Sequence, residues 1–132
     1  LQGDVGSGKT IIAIASLLIV NEKNLQGAFM VPTEVLAEQH YSNLLKYLNP
    51  LVVYVELLTG NTPQKKRKEI LCNLKNGLVD ILVGTHALFE DKVIFNSLGI
   101  VVIDEQHRFG VNQRNRLLNK GHNTNLLSMT AT

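Results

Sequence analysis

Residues 3–10 read Gly-Asp-Val-Gly-Ser-Gly-Lys-Thr. Residue types in this spacing suit a loop that cradles phosphates. Gly3, Gly6 and Gly8 let the backbone curl and point its N–H groups inward, with Asp4, Val5 and Ser7 completing the loop. Lys9 sets a compact cation against the β- and γ-phosphates, and Thr10 offers a hydroxyl to Mg²⁺. Far downstream, residues 103–107 read Ile-Asp-Glu-Gln-His, an apolar run ending in two acids. Asp104 is suited to hold Mg²⁺ directly or through water. Glu105 is suited to orient and deprotonate an attacking water. Adjacent side chains diverge, so two neighbouring acids naturally take two roles. In this order and separation the two motifs imply a site that binds and splits a nucleoside triphosphate.

These groups need a scaffold that brings them to one place, and the pattern of the chain supplies it. Lys9–Val20 reads as a helix, apolar on most sides and so packed on a sheet. The loop ahead of it needs a preceding strand, of which the chain holds at most the last residues. Gly27–Val31 reads as a buried strand ending at Pro32, and Glu34–Leu48 as a helix with Thr33 as N-cap. Leu51–Leu58 reads as a strand, Thr62–Lys75 as an amphipathic helix closed by Gly77, and Val79–Val83 and Ile100–Ile103 as continuous apolar strands. Arg114–Lys120 reads as a short helix and Leu126–Met129 as a last strand. Apolar strands separated by helices predict an α/β fold with a mostly parallel sheet covered on both faces. In such a sheet ligands gather at the C-terminal ends of the strands, where Asp104 and Glu105 fall.

Bulk properties narrow the classes. The chain has 132 residues, 45% of them hydrophobic, enough for one domain with a core. A net charge of +2 makes no strong electrostatic demand for nucleic acid or an anionic membrane. The lone Cys72 excludes an intrachain disulfide and suits a reducing compartment. No apolar run approaches the roughly 20 residues of a membrane helix. Beginning at a phosphate loop and stopping at Thr130-Ala131-Thr132, the sequence reads as a piece cut from a longer protein. His107 beside the proposed magnesium site is read as functional. His40 and His122 are read as ordinary surface or core histidines, and no His or Cys spacing suits a metal. Lys65-Lys66-Arg67-Lys68 reads as the solvated outer face of a helix that buries Ile70 and Leu74.

The stretches GDVGSGKT, VPTEVLAEQHY, LLTG, VGTHALF, VVIDEQHRFGVNQR and LSMTAT run nearly end to end and in order. They resemble the RecG family of ATP-dependent DNA helicases, within superfamily two. The resemblance implies a RecA-like P-loop NTPase domain, truncated at both ends, forming part of the first motor domain. It implies ATP and Mg²⁺ as cofactors at Gly3–Thr10, Asp104 and Glu105. It further implies DNA-facing loops at Pro32 and Thr33, at Thr59 and Gly60, and at Thr85 and His86. His107 and Thr130, Ala131 and Thr132 would couple hydrolysis to movement, and Arg108 and Phe109 would lie in a DNA-sensing loop. The parent would act on branched, double-stranded DNA such as stalled forks and Holliday junctions, in the bacterial cytoplasm. A wedge domain and a second motor domain would lie outside this chain, which alone would hydrolyse ATP poorly. The competing readings are a transcription-repair coupling translocase, a nucleotide-binding switch without motor work, and a small-molecule P-loop kinase. Glu105 and the Thr-Ala-Thr segment argue against a pure switch, and the lack of an Arg-rich lid argues against a kinase.

Overall fold

The computed structural model describes residues 5–48, 53–104 and 111–129. In chain order these form α1 (Val5–Glu22), β1 (Gln26–Met30), α2 (Glu34–Leu48), β2 (Val55–Leu58), α3 (Gln64–Lys75), β3 (Ile81–Gly84), a 3₁₀ turn (His86–Phe89), β4 (Leu98–Asp104), α4 (Val111–Leu118) and β5 (Asn125–Met129). The strands make one sheet in the order β2-β3-β1-β4-β5, every pairing parallel. This is the parallel α/β sheet that the alternating apolar runs predict. Among the described residues no helix is long and apolar enough to cross a membrane.

Side chains alternate across the sheet and build one core on each face. Phe29 and Val31, Ile81 and Val83, and Ile100 and Val102 meet α1 and α2 through Ala13, Leu17, Ala37 and Leu44. Ala28 and Met30, Leu82, and Val101 and Ile103 meet α3, the 3₁₀ turn and α4 through Ile70, Leu74, Leu88 and Leu117. The turn after α3 closes as expected at Gly77, whose φ of 79° only glycine adopts cheaply. Leu78 N–H donates to Asn73 O at 2.8 Å and Gly77 N–H to Leu74 O at 3.2 Å, the paired bonds of a Schellman ending. One buried polar residue ties the opposite end of the sheet. Gln26 Nε2 donates to Leu74 O (3.0 Å) and Val79 O (2.7 Å), while its Oε1 accepts from Ser97 N–H (2.8 Å).

Several boundaries differ from the sequence reading; α4, for one, spans Val111–Leu118 rather than Arg114–Lys120, and β4 spans Leu98–Asp104 rather than Ile100–Ile103. Helix α1 begins at Val5 rather than Lys9. Once a turn is nucleated each added residue gains a hydrogen bond, and carrying Gly6 and Gly8 costs only about 1 kcal/mol apiece. Strand β2 spans Val55–Leu58, with Val53 and Tyr54 of the expected run ahead of it, while Leu51 and Val52 lie outside the described residues. The 3₁₀ turn was not expected, because His-Ala-Leu-Phe is too short to show a period.

Candidate functional site

The parallel register decides what shares an edge. Leu58, Gly84, Met30 and Ile103 lie level across β2, β3, β1 and β4. The residues that follow are Thr59, Thr85, Val31 through Thr33, and Asp104. All four loop starts therefore stand along the C-terminal edge of the sheet. Helix α1 runs back into β1, so its own N-terminal end points toward the same edge. Its 18 residues span about 27 Å, against about 23 Å for β4. Val5–Thr10 thus open a helix whose first-turn N–H groups and positive dipole end face the strand tips.

Asp104 closes β4, 5% exposed, opposite Met129 of β5. Beside it stands His40 of α2, Nε2 4.0 Å from Asp104 Oδ2. The His40 ring also lies on Phe29, centroids 4.6 Å apart. Burial holds the imidazole below its ordinary value, and the neighbouring Asp104 carboxylate pulls the other way. Among the described residues His40, read from sequence as ordinary, is therefore the imidazole beside the acid expected to hold magnesium. A signal was present: His40 lies three residues after Ala37 and four before Leu44, the buried stripe of α2.

The three loops assigned to DNA are built differently from one another. Thr33 is exposed, and its Oγ1 accepts Leu36 N–H at 3.2 Å, the expected N-cap. Thr59 is buried and turned into its own turn, with Asn61 N–H donating to its Oγ1 (3.2 Å) and its N–H donating to Thr62 Oγ1 (3.0 Å). Thr85 is likewise buried, and Leu88 N–H donates to its carbonyl at 3.0 Å. Gly60, Asn61 and His86 are the exposed residues of these turns. Gly84 has to be glycine, since a Cβ there would lie 2.4 Å from Leu58 O.

The loops are also fastened together, by residues whose roles the sequence concealed. Asn61 Nδ2 donates to Glu34 Oε1, joining the turn after β2 to the start of α2. Arg67 Nη2 donates to Thr59 O at 2.6 Å, and its Nη1 reaches Glu90 Oε1 at 3.3 Å. Arg67 was expected to be solvated with its neighbours. Lys66 keeps that expectation, half exposed between Glu56 and Glu69, but the Arg67 side chain is only 14% exposed. Helix α3 turns that one position toward the sheet edge.

Gly3, Asp4, Glu105, His107, Arg108, Phe109, Thr130, Ala131 and Thr132 lie outside the described residues, as do the side chains of Val5, Gly6, Ser7, Gly8 and Lys9. Among the described residues no cluster of three His, Cys, Asp or Glu could hold a metal.

Residues 1–132 match the DEAD/DEAH box helicase family model. The chain is 55% identical over its whole length to the ATP-dependent DNA helicase RecG of Synechocystis, of which it spans 16%. It is 54% identical over its whole length to RecG of Staphylococcus aureus, spanning 19% of that protein. A solved structure of RecG bound to a three-way DNA junction superposes on 95% of the chain and 16% of its own, with TM-score 0.83 and 42% identity. The fold is also that of the helicase MrfA, at TM-score 0.77 and 17% identity. The chain spans less than a fifth of the curated relatives it matches. It belongs to the DEAD/DEAH box helicase family, and within it to the RecG branch.

Proposed function

We propose that residues 1–132 are part of the first RecA-like motor domain of an ATP-dependent DNA helicase that remodels branched DNA. The observation that carries this reading is the shared sheet edge. The N-terminal end of α1, Asp104, and the turns at Thr33, Thr59 and Thr85 stand side by side there. A nucleotide site and a phosphate-backbone site on one edge is what a motor needs. In this reading Gly3–Thr10 wrap the triphosphate, with Lys9 on its terminal phosphates.

Thr10 and Asp104 would hold Mg²⁺. Their donor set fits, being a hydroxyl and a carboxylate, the hard oxygen ligands this ion prefers. When bound, the ion neutralises charge on the phosphate oxygens. Glu105 orients the attacking water and accepts its proton. Thr33, Gly60 and His86 would face a DNA strand, with Thr59 and Thr85 shaping the turns behind them. Such contacts position a backbone without reading its sequence. His107 and Thr130–Thr132 would couple hydrolysis to movement. The relatives' greater length supports further parts beyond this chain: a wedge domain for branched DNA and a second motor domain. The site of action would be the bacterial cytoplasm, at the nucleoid.

Steady-state ATP hydrolysis by the full-length protein, with and without forked DNA, tests the reading. DNA-stimulated turnover is expected, lost in Lys9→Ala by at least about a hundredfold. Glu105→Gln should bind ATP without splitting it. Turnover indifferent to DNA would sink the helicase assignment, and normal turnover by Glu105→Gln would remove Glu105 from its role.

A further inference from the structure

Helix α4 follows the acidic motif in the chain and grips the segment that follows the Thr85–His86 turn. Arg116 Nη2 donates to Phe89 O at 3.0 Å and approaches Asp91 Oδ1 at 3.4 Å. Just past the helix, Lys120 Nζ donates to Glu90 O at 2.9 Å and to Val93 O at 2.8 Å. Leu117, fully buried, packs in the same core as Ala87, Leu88 and Phe89. One short helix thus holds successive carbonyls on the exit from the 3₁₀ turn and the apolar side of the turn itself.

The choice of partners is unusual. Lys120 is half-buried, and burial pushes its ammonium below the ordinary lysine value. Long cationic side chains normally keep their heads in water. Here the head is turned onto backbone oxygens, where a charged donor is worth roughly twice a neutral one. A packed helix fastened at several points moves as a unit, because close-packed contacts shift between discrete arrangements rather than deform.

We propose that Lys120 and Arg116 are positioning residues that latch α4 to the Phe89–Val93 segment, so that α4 and the Thr85–His86 turn change position together. The latch ties the helix that follows the acidic motif in the chain to the segment that follows the turn read as DNA-facing. It rests on the helicase reading above, which assigns that motif and that turn. Each acts through the helix it anchors.

The test uses the full-length protein and three variants. Lys120→Met keeps the aliphatic stem and loses the donors. Arg116→Gln changes a side chain that is 56% exposed and leaves the core intact, so it carries the test even where Lys120→Met fails to fold. Lys120→Arg restores a cation with several donors. ATP hydrolysis is measured without DNA and at saturating forked DNA, together with the DNA concentration for half-maximal stimulation. Expected are basal rates within about twofold of wild type, a fall of fivefold or more in the DNA-stimulated rate of Lys120→Met, a smaller fall in Arg116→Gln, and recovery in Lys120→Arg. A purely structural clamp would lower both rates alike and leave their ratio untouched. A DNA-stimulated wild type whose ratio survives both Lys120→Met and Arg116→Gln overturns the latch alone. A wild type indifferent to DNA overturns the helicase reading and the latch with it.

Discussion

Arg67 offers the sharpest quantitative test of how the edge proposed to face DNA is held. Its guanidinium donates to Thr59 O at 2.6 Å from a side chain only 14% exposed. The same carbonyl accepts Thr62 N–H at 3.2 Å, so Arg67 completes the turn rather than decorating it. Arg67→Met keeps the apolar stem and removes this charged bond, worth about 2 kcal/mol. The contact with Glu90, itself half exposed, adds less than about 1 kcal/mol once water screens it. A loss of about 2 kcal/mol raises the open fraction of the turn roughly 30-fold. Amide hydrogen exchange in the full-length protein reads that fraction directly. The Asn61 and Thr62 amides should exchange about 30-fold faster in Arg67→Met, while Leu82 and Val83 in the adjoining strand keep their wild-type rates. Arg67→Lys, a point charge on a shorter reach, should fall between. Unchanged exchange at Asn61 and Thr62 would refute the reasoning and leave the turn held by its own threonine hydroxyls.

Gln26→Leu strips hydrogen bonds from Leu74 O, Val79 O and Ser97 N–H; Leu74 O keeps its bond from Gly77 N–H, and the loss at the other two brings the cost to about 3 kcal/mol. Thermal unfolding followed by circular dichroism should show the motor region melting roughly 10 °C earlier, and a shift under about 2 °C would contradict the brace. Gly84→Ala puts a methyl 2.4 Å from Leu58 O and 2.8 Å from Leu88 Cδ2, an overpacking cost of about 1–3 kcal/mol. Gly60→Ala meets only Glu34 Oε2, at 3.5 Å, and should melt within about 2 °C of wild type; equal losses in the two variants would discredit the close approach at Gly84. Burial lowers the His40 pKa in the folded state from its ordinary 6.5, so between the two values the unfolded chain binds more protons. Stability should therefore fall as pH drops through about 6.5 toward the lowered value and level off below it. His40→Phe, which keeps the ring on Phe29, should flatten that part of the urea-denaturation profile, and an unaltered pH slope would show that His40 does not cause it.

What could be read from the sequence and what could not divides along a physical line. Helix α2 falls on its expected residues, Glu34–Leu48, because Thr33 supplies a local cap and Ala37, Leu44 and Leu48 a local period. The Gly77 ending is equally local, needing only a residue that tolerates positive φ. The phosphate loop and the acidic motif are read from the sequence on the same local ground, fixed residue types at fixed spacing, though residues 1–4 and 105–110 lie outside the described residues. The roles of Arg67 and His40 were not legible, since what distinguishes each is a partner outside its own helix, even where, as for His40, the stripe of α2 marks the residue as inward-facing. Arg67 looks like its neighbours Lys66 and Lys68 until α3 docks and turns it toward Thr59 O. His40 looks like a stripe residue until β4 brings Asp104 within 4.0 Å. Lys120 belongs with them, a cation near a helix end until Glu90 and Val93 present their carbonyls. The motifs thus name the groups expected to touch ligand, while residues such as Arg67, His40 and Lys120 are defined only by the packing of α2, α3 and α4 on the sheet. Substitutions at the second kind of residue should leave each half-reaction possible and uncouple one from the other. On the proposed helicase reading, the ratio of DNA-stimulated to basal turnover, more than either rate, is therefore the quantity in which this architecture should show itself.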